Sequence, residues 1–146
     1  MSSRLSFLIE QPLAYKILSW ATALLYFYLF VSLLFFPDSF IRDMGLTGSE
    51  TTFILARRVS MLMLGFSALA MLGASAPHSV ARQALVLAIS INMTGFATMS
   101  VYEYVRGTVN NSILQAATIE TFLAVAYFLF WLAGRCRSQE SHNEVG

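Results

Sequence analysis

The sequence predicts an all-α, polytopic membrane protein whose four transmembrane helices form an up-down bundle. Two observations carry this prediction. First, the 146 residues are 57% hydrophobic and only 12% charged, against roughly 25% charged residues in ordinary soluble domains. Second, apolar blocks of about 20 residues, long enough to cross a bilayer core, alternate with short polar stretches. The length suits one integral membrane domain, residues 1–146.

The first predicted span covers about residues 13–36, and Lys16 near its start is its only charge. The block is longer than the apolar core of a signal peptide, which has about 7–15 residues, so we expect a retained membrane helix. After it, Asp38 or Ser39 could cap a short surface helix that Gly45 ends. An ordinary loop is the equal alternative.

The second predicted span covers about residues 53–75. Thr47 and Glu50 stand before it in the Thr-x-x-Glu pattern of a capping box, which predicts a helix start just outside the bilayer. The third and fourth spans cover about 83–104 and 113–133. The remaining residues, 134–146, form a polar C-terminal tail.

Four spans place both termini on the same side of the membrane. Five basic residues lie in the tails, at the start of span one and in the loop on that side, against two, Arg42 and Arg106, in the loops opposite; the five are Arg4, Lys16, Arg82, Arg135 and Arg137. An excess of Lys and Arg marks cytoplasmic segments, so we expect both termini in the cytoplasm.

Composition also argues against several classes of site. The net charge of +1 lacks the basic footprint of a nucleic-acid-binding protein. Cys136 is the single cysteine and the only histidines are His78 and His142, so we expect no disulfide, no metal site and no cofactor. No nucleophile motif is present, and an enzyme would have to use Arg, Glu, Asn and Tyr side chains.

The candidate site consists of polar residues inside the apolar blocks. Arg57 and Arg58 lie roughly 8 Å into span two, and Glu120 lies roughly 10 Å into span four from the same side. Unpaired charges at such depth are costly, so a Glu120 ion pair with one arginine is the structural hypothesis, with the other arginine reaching outward. The functional alternatives are a pocket for an anionic or amphipathic molecule and proton-coupled transport through Glu120.

Span three adds Asn92 and, at its outer end, Glu103 to this predicted cluster. Asn92, with Thr94 and Thr98, is expected to form hydrogen bonds between helices, with ligand binding as the alternative. The five candidates are thus Arg57, Arg58, Asn92, Glu103 and Glu120, and the polar faces of spans three and four are expected to meet one of the two arginines inside the bundle.

The order of motifs resembles a family of uncharacterised bacterial four-span inner-membrane proteins with a layout loosely similar to the DoxX group. The resemblance rests on Phe36-Pro37, "DMGL" at 43–46 and "ARRVSMLMLGFSAL" at 56–69, and it covers about residues 13–134. It implies a four-helix bundle in a bacterial inner membrane and transfers no catalytic residue. Ser60 departs from the family, in which glycine is common there.

The first functional hypothesis is a non-catalytic accessory or scaffold subunit of a larger membrane complex, because four short spans leave little room for a separate active domain. Its expected partners are the lipid bilayer and either another membrane protein or further copies of this chain. The alternatives are a small-molecule or lipid binding or transport protein with an outer-half polar pocket, and a membrane-embedded enzyme.

Overall fold

In a computed structural model, the chain is all-helical in its described residues, as the sequence predicts. The structure describes the backbone of residues 2–77 and 79–143 and the side chains of 13–77 and 79–135. These residues form five helices: α1 (Ser2–Phe35), α2 (Pro37–Asp43), α3 (Glu50–Ser75), α4 (Val80–Val105) and α5 (Ser112–Asn143).

Four of these helices contain segments long and apolar enough to cross a membrane: Leu13–Phe35, Glu50–Ser75, Val80–Val105 and Ser112–Arg135. The predicted spans fall on the same segments, with ends that differ by up to three residues. Helix α5 continues beyond its apolar segment to Asn143, so most of the predicted tail is helical. This follows because polarity governs where a helix leaves the membrane and does not by itself end the helix.

The chain divides into two compact units, Met1–Ala76 (unit 1) and Pro77–Gly146 (unit 2). Unit 1 is a hairpin in which α1 packs against α3, and α2 contacts both. Tyr26 is fully buried between them and stacks on Phe66 with ring centroids 5.4 Å apart. Most residues of this seam are small or carry a hydroxyl group: Ser19, Thr22, Ala23, Ser60, Ser67, Ala70 and Ala74.

Unit 2 is a hairpin of α4 and α5. Its seam holds a fully buried Tyr127 and a mixture of small and larger apolar residues: Val86, Ile89, Ser90, Met93, Ile113, Ala117, Leu123 and Ala124. Small residues allow membrane helices to approach closely, which supplies the dispersion contacts that replace the hydrophobic effect in lipid.

Each hairpin carries the same interhelical hydrogen bond. In unit 1, Ser67 Oγ donates to the Ala23 carbonyl at 2.8 Å, and in unit 2, Ser90 Oγ donates to the Ala124 carbonyl at 2.9 Å. Each accepting alanine stands three residues before the fully buried tyrosine of its hairpin. The two seams therefore share a local packing pattern, although the sequence shows no recognisable internal repeat.

The short helix predicted after span one is present as α2, but its predicted cap is wrong. Phe36 occupies the N-cap position and Pro37 begins the helix, without a side-chain cap. Proline suits this first position because its missing N–H has no helical partner there. Asp38 instead pairs with Arg42 one turn later.

Glycine ends α2 as predicted. Gly45 has φ of +82°, its N–H bonds to the Arg42 carbonyl, and the Leu46 N–H bonds to the Ile41 carbonyl. This is the Schellman arrangement, in which a left-handed residue lets the last carbonyls be satisfied. Gly107 ends α4 in the same way, with φ of +72°.

The predicted capping box of α3 is displaced by two residues. Ser49, not Thr47, is the N-cap: its Oγ accepts from the Thr52 N–H, and Thr52 Oγ1 accepts from the Ser49 N–H. Thr47 and Glu50 also fit the sequence pattern, but Glu50 is already the first residue of the helix. Ser79 caps α4 in a similar position, accepting from the Arg82 N–H.

Candidate functional site

Arg57 and Arg58 lie about two turns into α3 and are both exposed. Their backbone is regular, and Ser60 Oγ donates to the Arg57 carbonyl at 2.6 Å. Within the described part of unit 1, Arg42 pairs with Asp38, and neither Arg57 nor Arg58 forms an ion pair. The two guanidinium groups therefore remain unneutralised by their own hairpin, on the surface of a helix that is apolar enough to span a membrane.

Glu120 lies in the seam of unit 2. It is half-buried on α5, one turn from the buried Ala117 and Ala124. Ser100 on α4 donates its hydroxyl hydrogen to Glu120 Oε2 at 3.3 Å. The Glu120 side chain thus links the two helices near one end of the hairpin. Ser100 was not predicted as a site residue, because serine is common in membrane helices and gives no distinctive signal.

Glu103 belongs to a local cluster at the end of α4. Thr108 Oγ1 lies 2.6 Å from Glu103 Oε2, and Arg106 Nη1 lies 3.5 Å from Oε1. The Arg106 guanidinium also sits 5.5 Å from the centre of the Tyr102 ring. These partners all come from the helix end itself, so the contacts of Glu103 stabilise the turn that Gly107 makes.

Asn92 is partly buried on α4. The two threonines predicted to act with it have a different role from the expected one. Thr94 Oγ1 donates to the Ser90 carbonyl at 2.8 Å, and Thr98 Oγ1 donates to the Thr94 carbonyl at 2.7 Å. Both bonds stay within α4, since a threonine hydroxyl reaches the carbonyl one turn earlier more easily than a neighbouring helix.

Two open grooves run along unit 2 on either side of Thr94 and Thr98. One has a volume of about 420 Å³ and extends to Val101, Thr121 and Val125. The other, of about 450 Å³, is lined by these residues: Leu87, Ser90, Ile91, Thr94, Gly95, Thr98, Met99 and Phe128. Since the threonine hydroxyls bond within their helices, the grooves have mainly apolar walls.

The structure therefore distributes the predicted site residues over two units. Arg57 and Arg58 belong to unit 1, whereas Asn92, Glu103 and Glu120 belong to unit 2. An ion pair between Glu120 and an arginine would join the units, and it stays a prediction. The grooves beside Gly95 were not predicted, although the small residues at 94, 95 and 98 are their sequence signal.

No group of three His, Cys, Asp or Glu side chains among the described residues could hold a metal ion. His78, His142 and Cys136 lie outside the described side chains. Their expected lack of a metal or disulfide role stays a prediction.

Four long apolar helices define the class of the protein, an integral membrane protein of the polytopic α-helical type. No protein-family model matches the chain, and no curated protein or solved structure is significantly similar to it.

Proposed function

We propose that the protein is a non-catalytic accessory or scaffold subunit that docks onto another membrane protein through the α4 face around Gly95. The observation that carries the proposal is the open groove of about 450 Å³ that Gly95 lines, where a Cβ placed on Gly95 meets no atom within 4 Å. Glycine inside a helix costs about 1 kcal/mol relative to alanine. Packing inside the hairpin does not explain the residue, so a close helix from outside supplies the reason.

The surroundings of Gly95 support a docking face. Ile91, Met99 and Tyr102 are more than half exposed, and together with Ala88 and Thr98 they follow three- and four-residue spacing on the same side of α4. The groove of about 450 Å³ beside Gly95 gives this face a concave shape. A transmembrane helix of a partner has the form and polarity to lie in it.

The proposal includes a location. The resemblance to DoxX-like proteins and the distribution of basic residues support a bacterial inner membrane with both termini in the cytoplasm.

Bulk added at Gly95 tests the docking face. Gly95→Leu has room within its own hairpin, so the protein should accumulate and span the membrane normally, while co-purification of its partner in mild detergent should fall. Gly65→Leu is the matched control: a Cβ at Gly65 on α3 also meets nothing within 4 Å, but Gly65 does not line the groove of the proposed face. Equal loss in the two variants, or none in Gly95→Leu, would contradict the proposed face.

Photo-crosslinking locates the contact independently. A crosslinking residue at Met99 should capture a stoichiometric partner in native membranes, and one at the exposed Leu24 of α1 should not. Capture of a second copy of this chain alone would favour a homo-oligomer over an accessory subunit.

A second candidate is proton-coupled transport, which the half-buried Glu120 and its Ser100 contact favour. Carboxylates inside membrane segments commonly mark proton or ion pathways. In liposomes, Glu120→Gln should abolish protein-dependent decay of an imposed pH gradient, whereas Glu103→Gln, which alters a helix end, should not. Undiminished proton flux in Glu120→Gln would remove this candidate.

A further inference from the structure

We infer that Arg57 and Arg58 form a binding site for the phosphate of an anionic phospholipid, in the leaflet at the end of unit 1 where α3 begins. The site stands apart from the proposed docking face, since it lies on α3 and does not involve Gly95. Its ligand is recognised by the chemistry of the phosphate group and by the acyl chains attached to it.

The depth of the arginines suits this ligand. Helix α3 begins at Glu50, behind the exposed cap residue Ser49. Arg57 follows seven residues later, about 10 Å along the axis. Helical side chains lean toward the N-terminus of their helix. Here that direction leads out of the membrane, so both guanidinium groups reach the level of lipid headgroups while their stems remain among acyl chains.

The surface around Arg58 is apolar and exposed. Leu55 and Leu62 lie on the same side of α3 and are 57% and 61% exposed, and Ile54 and Met61 flank it on the other side at 53% and 51%. An aqueous anion would have to leave water to reach this surface. A phospholipid brings its own hydrocarbon, so its chains can cover the leucines while its phosphate meets the arginine.

Helix α2 marks the height of the headgroups independently. It contacts α1 and α3 at this end of the hairpin and buries Pro37 and Ile41. Phe35 and Phe36 beside it are 64% and 62% exposed, while Arg42 and Asp38 form an exposed ion pair. Apolar residues on one side and polar residues on the other are typical of a helix lying in the membrane interface.

Neither Arg57 nor Arg58 pairs with an acidic group among the described side chains of unit 1, which leaves both for an external anion. Arg42 is neutralised by Asp38, and Glu50 stands two turns from Arg57 along α3. A guanidinium group binds phosphate oxygens through two parallel N–H donors. Adjacent residues point about 100° apart on a helix, so Arg57 and Arg58 approach one headgroup from two sides or hold two neighbouring lipids.

Lipid retention in the full-length protein tests the site. The protein is incorporated into nanodiscs of equal parts phosphatidylglycerol and phosphatidylcholine, extracted in mild detergent, and its retained lipids are quantified by mass spectrometry. The wild type should retain phosphatidylglycerol in excess of phosphatidylcholine. Arg57→Gln combined with Arg58→Gln should return the ratio to that of the bulk lipid, and an unchanged excess would overturn the inference.

A charge-matched variant controls for general attraction to anionic lipid. Arg82→Gln combined with Arg106→Gln also removes two positive charges, but from unit 2, and should keep the excess. Equal loss in this variant would overturn a specific site. If the Arg57/Arg58 double variant does not accumulate, the single variants serve: Arg58→Gln should lower retention, and no loss in either would overturn the site.

Two further arms separate the lipid from other anions. Glu120→Gln should leave phosphatidylglycerol retention unchanged, whereas a loss as large as that of the arginine double variant would overturn a site formed by Arg57 and Arg58. Inorganic phosphate should not raise the thermal stability of the delipidated protein. Stabilisation by phosphate alone, lost in the double glutamine variant, would assign the arginines to a soluble anion instead.

Discussion

Two buried serine hydroxyls connect neighbouring helices in this protein, one in each hairpin. Ser67 and Ser90 donate to the carbonyls of Ala23 and Ala124, groups that already accept the regular bonds of their own helices. The hydroxyl proton gains a partner where no water is present, although such bonds contribute modestly because the unfolded chain in a membrane also finds partners. The small size of these serines, which lets the two helices pack closely, therefore contributes to stability as much as their hydrogen bonds do.

Replacing the serines should therefore have a small and measurable effect. Ser67→Ala and Ser90→Ala should each lower the free energy of unfolding in mixed micelles by about 1 kcal/mol or less. Ser75→Ala is the control, since Ser75 Oγ is exposed and bonds only within α3 at 3.3 Å. A loss well above this size would indicate that the serines anchor more than one interhelical bond.

Glycine at a helix end carries a larger residue-scale effect. Gly107 has φ of +72° and its Cβ position is open, so Gly107→Ala adds no clash and isolates the backbone cost. We expect a loss of about 1 kcal/mol in unfolding free energy, the usual cost of a left-handed conformation for a residue with a side chain. Gly65→Ala, inside regular helix and equally open, should not destabilise the protein.

At the scale of the elements, helix starts depend on hydroxyl residues in the polar connections. The α3 cap uses Ser49 and Thr52 reciprocally, and the α4 cap uses Ser79. These bonds satisfy N–H groups that have no helical acceptor. They also hold the beginnings of the spans at defined points of the chain, which fixes how far each arginine of α3 lies inside.

The capping assignment can be tested at two hydroxyl positions. Ser49→Ala should lower the unfolding free energy by about 1 kcal/mol, whereas Thr47→Ala, two residues earlier and exposed, should have little effect. Circular dichroism on the same samples should show slightly less helix for Ser49→Ala. The reverse order of the two effects would place the helix start where the Thr-x-x-Glu pattern puts it.

The extent to which sequence determined these results differs from feature to feature. The spans could be predicted because length and hydropathy alone decide whether a helix can cross a membrane. The α3 cap could not be predicted, since Thr47 and Ser49 each stand three residues before a side chain that can complete a capping box. Only the backbone conformation decides which of the two is the N-cap. Glu103 at the end of α4 is a third case. The sequence places it on a polar face of span three, but in the structure its carboxylate contacts Thr108 and Arg106 of the same helix end.

At the scale of the whole molecule, four apolar helices imply alternating sides for the connections. If all four apolar segments cross the bilayer, the loops before α3 and before α5 lie on one side of the membrane, and the connection at 76–79 lies on the other side. Arg135 lies 5.0 Å from the Trp131 ring centre, an aromatic and basic pair of the kind found at membrane interfaces. The orientation of the whole then depends on the basic residues in these connections.

Cysteine labelling in intact cells tests the orientation. In a Cys136→Ser background, Leu46→Cys and Asn110→Cys should react with a membrane-impermeant maleimide from outside, and Ser79→Cys should react only after the membrane is opened. All three positions are exposed. The opposite pattern would reverse the proposed orientation, and labelling of all three from outside would contradict a four-span topology.

The threonines of α4 and α5 have a consequence for how the chain presents itself to lipid. Thr94, Thr98, Thr118 and Thr121 each donate to the carbonyl one turn earlier in their own helix. A hydropathy scale counts them as polar, but a hydroxyl that donates within its own helix needs no partner from lipid or from another helix. The third and fourth spans are therefore more compatible with the hydrocarbon core than their hydropathy values indicate. Replacing one of these threonines with valine should change the stability of the protein in the bilayer only slightly.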